Sequence, residues 1–149
     1  MLNKEIVFNT VKKELEKRSN IIQATFDDLK DALYSSSKNT VGDKHETNRA
    51  MIQLEQEKLS QQLVNIINLK NSLNKINPKE QHKVAQYGSL INTSEGFFFL
   101  SIGLGKVNIN NEKVFCITAT TRLGILLIGK HIGDNIRIDK KKITILDLI

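Results

Sequence analysis

Two carboxylates, Asp43 and Glu46, stand three residues apart in a polar stretch between two long segments of helical periodicity. Carboxylate oxygens suit a hard divalent cation, and a pair at this spacing could share one with groups supplied by a partner. The same two residues also fit a helix start. Asp at the N-cap with Glu three positions on is a capping-box-like arrangement that satisfies free amides and complements the helix dipole. Spacing alone favours capping, because every helix needs an N-terminus and few need a metal.

The other chemistry-bearing residues are scattered. His45, His82 and His131 lack ligand spacing, and Cys116 is the single Cys, so the chain spells out no metal centre of its own. Cys116 lies in the apolar run Val114-Phe115-Cys116-Ile117 and reads as a small buried hydrophobe in a reducing, cytoplasmic setting. No Ser or Cys has a recognisable partner arrangement, so intrinsic hydrolase chemistry has no support. The run Gly103-x-Gly105-Lys106 lacks the helix that a phosphate loop opens, and reads as a turn or bulge between strands. Lys140-Lys141-Lys142 reads as a solvated turn in preference to a polyanion contact.

The elements that must position the carboxylates are plain in the pattern. From Leu2 to Tyr34 there is neither Gly nor Pro, and Val11, Leu15, Ile22, Phe26, Leu29 and Leu33 recur at spacings of three, four or seven. From Glu46 to Ile76 a second stripe runs through Ile52, Leu59, Leu63, Ile66 and Leu73, with Gln56 and Lys70 at seam positions. Between them, residues 35–43 are polar and turn-forming and hold the one Gly of the first half. Two antiparallel helical arms follow, each about 30 residues and on the order of 45 Å long, a projecting hairpin with its tip at 35–47. The polar seam positions argue for a monomer with an intramolecular hairpin over a long homodimeric coil.

The only proline, Pro78, ends the second arm and marks a domain boundary, giving a hairpin over 1–76 and a β domain over 77–149. Seven of the eight Gly and four of the six Phe lie beyond it. Strands are expected near 87–92, 97–102, 114–120, 135–139 and 143–148, separated by turn signals such as Ser94-Glu95-Gly96 and Asn110-Asn111. Thr121 to Lys130 is expected as a short amphipathic helix, ended by Gly129 or Gly133, that covers the apolar face of the sheet. The class is α+β.

A net charge of +6 and a pI near 9.4 favour encounter with polyanions or an acidic protein surface. No aromatics interleave with a basic cluster, which disfavours sequence-specific or single-strand binding. The N-terminus lacks a signal-peptide core and no stretch is long enough to span a bilayer, so the chain reads as soluble and unprocessed.

The stretch Thr121-Arg122-Leu123-Gly124-Ile125-Leu126-Leu127-Ile128-Gly129-Lys130-His131-Ile132-Gly133-Asp134 resembles the SPLGRALLGKKVGD signature of the Gre family of transcript cleavage factors. Leu123, Gly124, Leu127, Gly129, Lys130, Gly133 and Asp134 match outright. The final strand, 143–149, resembles the family's terminal YEVLEI, and Gly42-Asp43-Lys44-His45-Glu46 is similar to its GDLSE tip segment. Departures are Thr121-Arg122 for Ser-Pro, and Thr47-Asn48-Arg49 for the residues that follow the tip glutamate.

The resemblance implies an FKBP-like C-terminal domain docked at the rim of the secondary channel of RNA polymerase, with the coiled coil reaching toward the active centre and the nascent RNA 3′ end. Asp43 and Glu46 would then be the catalytic carboxylates that help hold Mg²⁺ shared with the polymerase, which cleaves its own backtracked RNA. No cofactor of the chain's own is implied. Two other readings stay open: a non-cleaving regulator of the same channel, to which Lys44 and His45 between the carboxylates point, and a structural coiled-coil adaptor.

Overall fold

The structure, a computed structural model, describes the backbone of residues 2–37 and 42–149, and the side chains of residues 2–35 and 46–149. The expected turn between the arms falls at residues 38–41, outside the described residues. Helix α1 spans Lys4–Ser37 and α2 spans Gly42–Leu73. Packing divides the chain into Lys13–Lys70, and Met1–Lys12 together with Asn71–Ile149. The division expected from sequence followed the change of periodicity at Pro78, whereas this one follows contact.

In the first of these units, burial on each helix follows the apolar stripe. On α1, Leu15 is buried, Ile22, Phe26, Leu29 and Leu33 are half-buried, and most residues between them are exposed. On α2, Leu59 and Ile66 are buried and Ile52, Gln56, Leu63 and Lys70 are half-buried. Steps of three and four alternate along both, the spacing of a coiled-coil seam. Surface pairs such as Arg18 with Glu14 at 3.2 Å add only tenths of a kcal/mol each. Burial of the stripes therefore carries the hairpin.

The second unit is built on strands β1 (Leu90–Thr93), β2 (Gly96–Leu100), β3 (Gly105–Ile109), β4 (Glu112–Ile117), β5 (Asn135–Ile138) and β6 (Lys141–Leu148), with α3 (Arg122–Leu127) between β4 and β5. They form one six-stranded sheet in the order β3-β4-β2-β1-β6-β5. Among the described residues only β2 and β4 pair in parallel, so the sheet is mostly antiparallel and not antiparallel throughout as expected. The sequence implied five strands; β3 was missed because Gly-Lys-Val-Asn-Ile offers two apolar residues on a sheet edge. The Gly103-Gly105 run is the turn into this strand, with Gly105 at φ 83°. Asn110 and Asn111, both at positive φ (50° and 65°), close the β3–β4 hairpin, a conformation Asn tolerates better than most residues.

One face of the sheet packs on α3. Ile91, Phe98, Leu100, Ile136, Ile143, Ile145 and Leu148 form a core with Leu127 and Ala85, flanked by Leu123 and Leu126. Phe98 stacks on Phe115 with ring centroids 5.4 Å apart. The expectation that one helix would cover the sheet's apolar face was incomplete. Leu90, Phe97, Phe99, Val114 and Cys116 are buried on the other face. Leu2 lines a crevice there with Leu90, Asn92 and Phe97. Val7, Phe8, Val11, Leu73 and Ile76 are buried in the same unit.

Two glycines test separate constraints. A Cβ on Gly124 would lie 2.0 Å from the Thr118 carbonyl oxygen, so Gly124→Ala should cost about 2–3 kcal/mol by forcing backbone apart. Gly129 has open space but φ 80°, so Gly129→Ala should cost about 1–2 kcal/mol through conformation alone. Urea unfolding midpoints of the two variants measure the difference. In the arms, Gln56→Leu should add about 1 kcal/mol by restoring an apolar seam, read as a higher thermal midpoint.

Candidate functional site

The tip carboxylates sit where α2 begins. The helix starts at Gly42, so Asp43 is its second residue and Glu46 its fifth. An Asp43 N-cap would need a helix starting one residue after it, and the N-cap position instead falls outside the described residues. Positions three apart on a continuous helix share a face, and acidic residues in the opening turns complement the dipole. The side chain of Asp43 lies outside the described residues; Glu46 is exposed.

The second sequence feature, residues 121–134, is explained by packing. Thr121 caps α3, its Oγ1 accepting from the Gly124 amide at 3.0 Å and donating to the Thr118 carbonyl at 2.9 Å. Gly124 is glycine because α3 lies against the 118–119 backbone. Leu123 and Leu127 enter the core. Gly129 ends the helix at positive φ; its amide donates to the Ala85 carbonyl and the Ala85 amide donates to the Lys130 carbonyl, both at 2.8 Å. Asp134 closes the next turn, its Oδ2 accepting from the His131 amide at 2.7 Å, while the Gly133 amide donates to the Ile145 carbonyl at 2.8 Å. Most of the residues that carry the resemblance thus have a folding role. Left outside are Arg122, Ile125, Ile128 and Ile132, an exposed and largely apolar surface.

Sequence reasoning missed a buried polar cluster. Lys4, at 1% exposure, donates from Nζ to the Glu80 carbonyl at 2.6 Å. His82 is buried, with Nδ1 2.7 Å from Ser89 Oγ and Nε2 3.8 Å from Glu80 Oε2. Ser89 Oγ also accepts from the Gln86 amide at 3.0 Å. Burial lowers the Lys4 pKa, opposed by the Glu80 charge. Burial also lowers that of His82, and the Lys4 charge adds to this while Glu80 opposes it. No spacing rule connects residue 4 with residues 80, 82 and 89, so only folding could reveal the group. It ties the start of α1 to the segment before β1, and its enclosure suits a structural role.

Cys116 is buried and its thiol is pushed up to about 12 by burial, so it is no nucleophile at neutral pH. Among the described residues no three His, Cys, Asp or Glu side chains gather closely enough to hold a metal ion. No helix among the described residues is long and apolar enough to cross a membrane. No family model, curated protein or solved structure matches the chain.

A histidine whose folded pKa lies below its unfolded value near 6.5 holds its proton less well when folded. Its contribution to stability is complete above that value and is lost as pH falls through and below it. Urea midpoints measured across this range should therefore fall with decreasing pH, and His82→Gln should flatten the decline.

Proposed function

We propose that the chain is a Gre-type factor that binds RNA polymerase through its secondary channel and stimulates cleavage of backtracked nascent RNA. The observation that carries this reading is the co-occurrence of two separate motif resemblances in the family's order. One is the segment 42–46, at the start of the second of two long helices; the other is 121–134, in the sheet unit that follows. On this reading the sheet unit is FKBP-like. The exposed apolar residues Ile125, Ile128 and Ile132 provide a surface for docking at the channel rim.

On this reading the arms supply the reach toward the active centre. Residues 13–37, at about 1.5 Å per residue, extend on the order of 35–40 Å. Asp43 and Glu46 would supply oxygen ligands to Mg²⁺ whose remaining ligands come from the polymerase, water and RNA phosphate. Mg²⁺ tolerates such shared coordination, and two-metal hydrolysis uses it to stabilise both attacking and leaving oxygens. Fold alone carries no function. A non-cleaving occupant of the same channel is the second reading, favoured by Lys44 and His45, whose positive charge would compete with the cation when His45 is protonated.

Stalled, backtracked elongation complexes separate these readings. The parent protein should accelerate transcript shortening, and Asp43→Ala or Glu46→Ala should each lower that acceleration by roughly 10- to 100-fold, as loss of metal-supporting groups does, with polymerase binding retained. Binding without any stimulation by the parent would establish the second reading. Failure to bind polymerase, with self-association through the arms, would leave only the adaptor.

A further inference from the structure

The charge of the chain is unevenly distributed. Residues 13–70 hold nine Lys and Arg against nine Asp and Glu, whereas the unit containing the sheet holds thirteen against seven. The whole excess of +6 therefore belongs to the sheet unit. Part of it is concentrated on one face of the β5–β6 hairpin. The register sets Asn135 opposite Thr144, Ile136 opposite Ile143, and Arg137 opposite Lys142. Ile136 and Ile143 point into the core, so Asn135, Arg137, Lys142 and Thr144 share the other face, on which Arg137 and Lys142 are exposed.

Like charges directly opposite one another destabilise an antiparallel pair. Lys140, exposed in the connecting turn, adds a third cation. The carboxylates near this turn are committed elsewhere: Asp139 to Arg122 at 3.0 Å, and Glu95 to Lys141 at 2.7 Å. Among the described residues no carboxylate pairs with Arg137, Lys140 or Lys142.

We infer that Arg137, Lys140 and Lys142 form a site for the phosphate backbone of double-helical nucleic acid, bound without regard to sequence. This face of β5 and β6 has no aromatic residue on which an unpaired base could stack. Its single apolar residue is Leu146, too little for the apolar centre of a protein interface. Beside the cations Thr144 Oγ1 donates to Asn135 Oδ1 at 2.7 Å, and the side-chain amide N–H of Asn135 is a donor of the type that contacts phosphate and sugar. Neutralising phosphates releases condensed counterions, so three contacts give a slope of about −2.7 in log affinity against log salt, or roughly 40-fold weakening from about 50 to about 200 mM.

Duplex binding at this face needs no polymerase and is independent of transcript cleavage. The full chain is titrated onto fluorescent mixed-sequence DNA duplexes at several salt concentrations. The parent should bind unrelated duplexes equally with the slope above. The triple variant Arg137→Gln/Lys140→Gln/Lys142→Gln should lose nearly all of that slope. Lys17→Gln/Lys30→Gln/Lys58→Gln, which removes the same charge from the arms, should keep most of it. Lys142→Glu provides a check on folding: facing Arg137 with the opposite charge, it should raise the melting temperature while weakening duplex binding. Equal losses in the two triple variants would overturn the site in favour of bulk charge. Displacement by polyglutamate as effective as by duplex at equal charge would overturn it in favour of an acidic protein surface.

Discussion

Phe97, Phe98, Phe99 and Leu100 are four consecutive residues of β2, all buried, and successive residues of a strand point to opposite faces. A sheet with such a strand near its centre must be covered on both sides. Helix α3 covers one, which requires it to approach the 118–119 backbone closely enough that residue 124 has no room for a side chain. The other side is met by Leu2 and lies in the same unit as the buried Val7, Phe8 and Val11. The opening of α1 is thereby committed to the sheet, although the rest of the helix belongs to the arms.

That commitment explains the buried lysine. Residues 2–11 bring Lys4 into the interior with their apolar neighbours, where a charge is costly unless partnered. The Glu80 carbonyl and carboxylate offset the cost, and the pKa of His82 beside them is lowered by enclosure and by the lysine's own charge. The group is therefore a consequence of how the second sheet face is covered. By contrast, the arms bury a narrower seam with Gln56 and Lys70 in it, and carry balanced charge.

Much of this was legible in the residues. Both apolar stripes are the buried faces of α1 and α2, including the polar seam positions. The α+β order and the helix after Thr121 could be read from amphipathic spacing, a terminating glycine and a change of period. The parts that were not legible involve pairing at a distance. Strand β3 is too polar to announce itself, and its place at an edge, leaving β4 to lie parallel to β2, depends on neighbours. Asp43 and Glu46 were singled out by type and spacing; the start of α2 puts both inside the helix, a register their spacing could not choose.

The sequence by itself determined the local periodicities, the capping and turn residues, and the types of group available for chemistry, because these depend on neighbours a few positions apart. Tertiary structure alone decided which face of the sheet the N-terminus covers, that Lys4 meets Glu80 and lies near His82, and that Arg137 faces Lys142 while nearby carboxylates are held by other cations. These are contacts between distant parts of the chain, selected by burying apolar area on both sides of one sheet, and no spacing along the sequence encodes them.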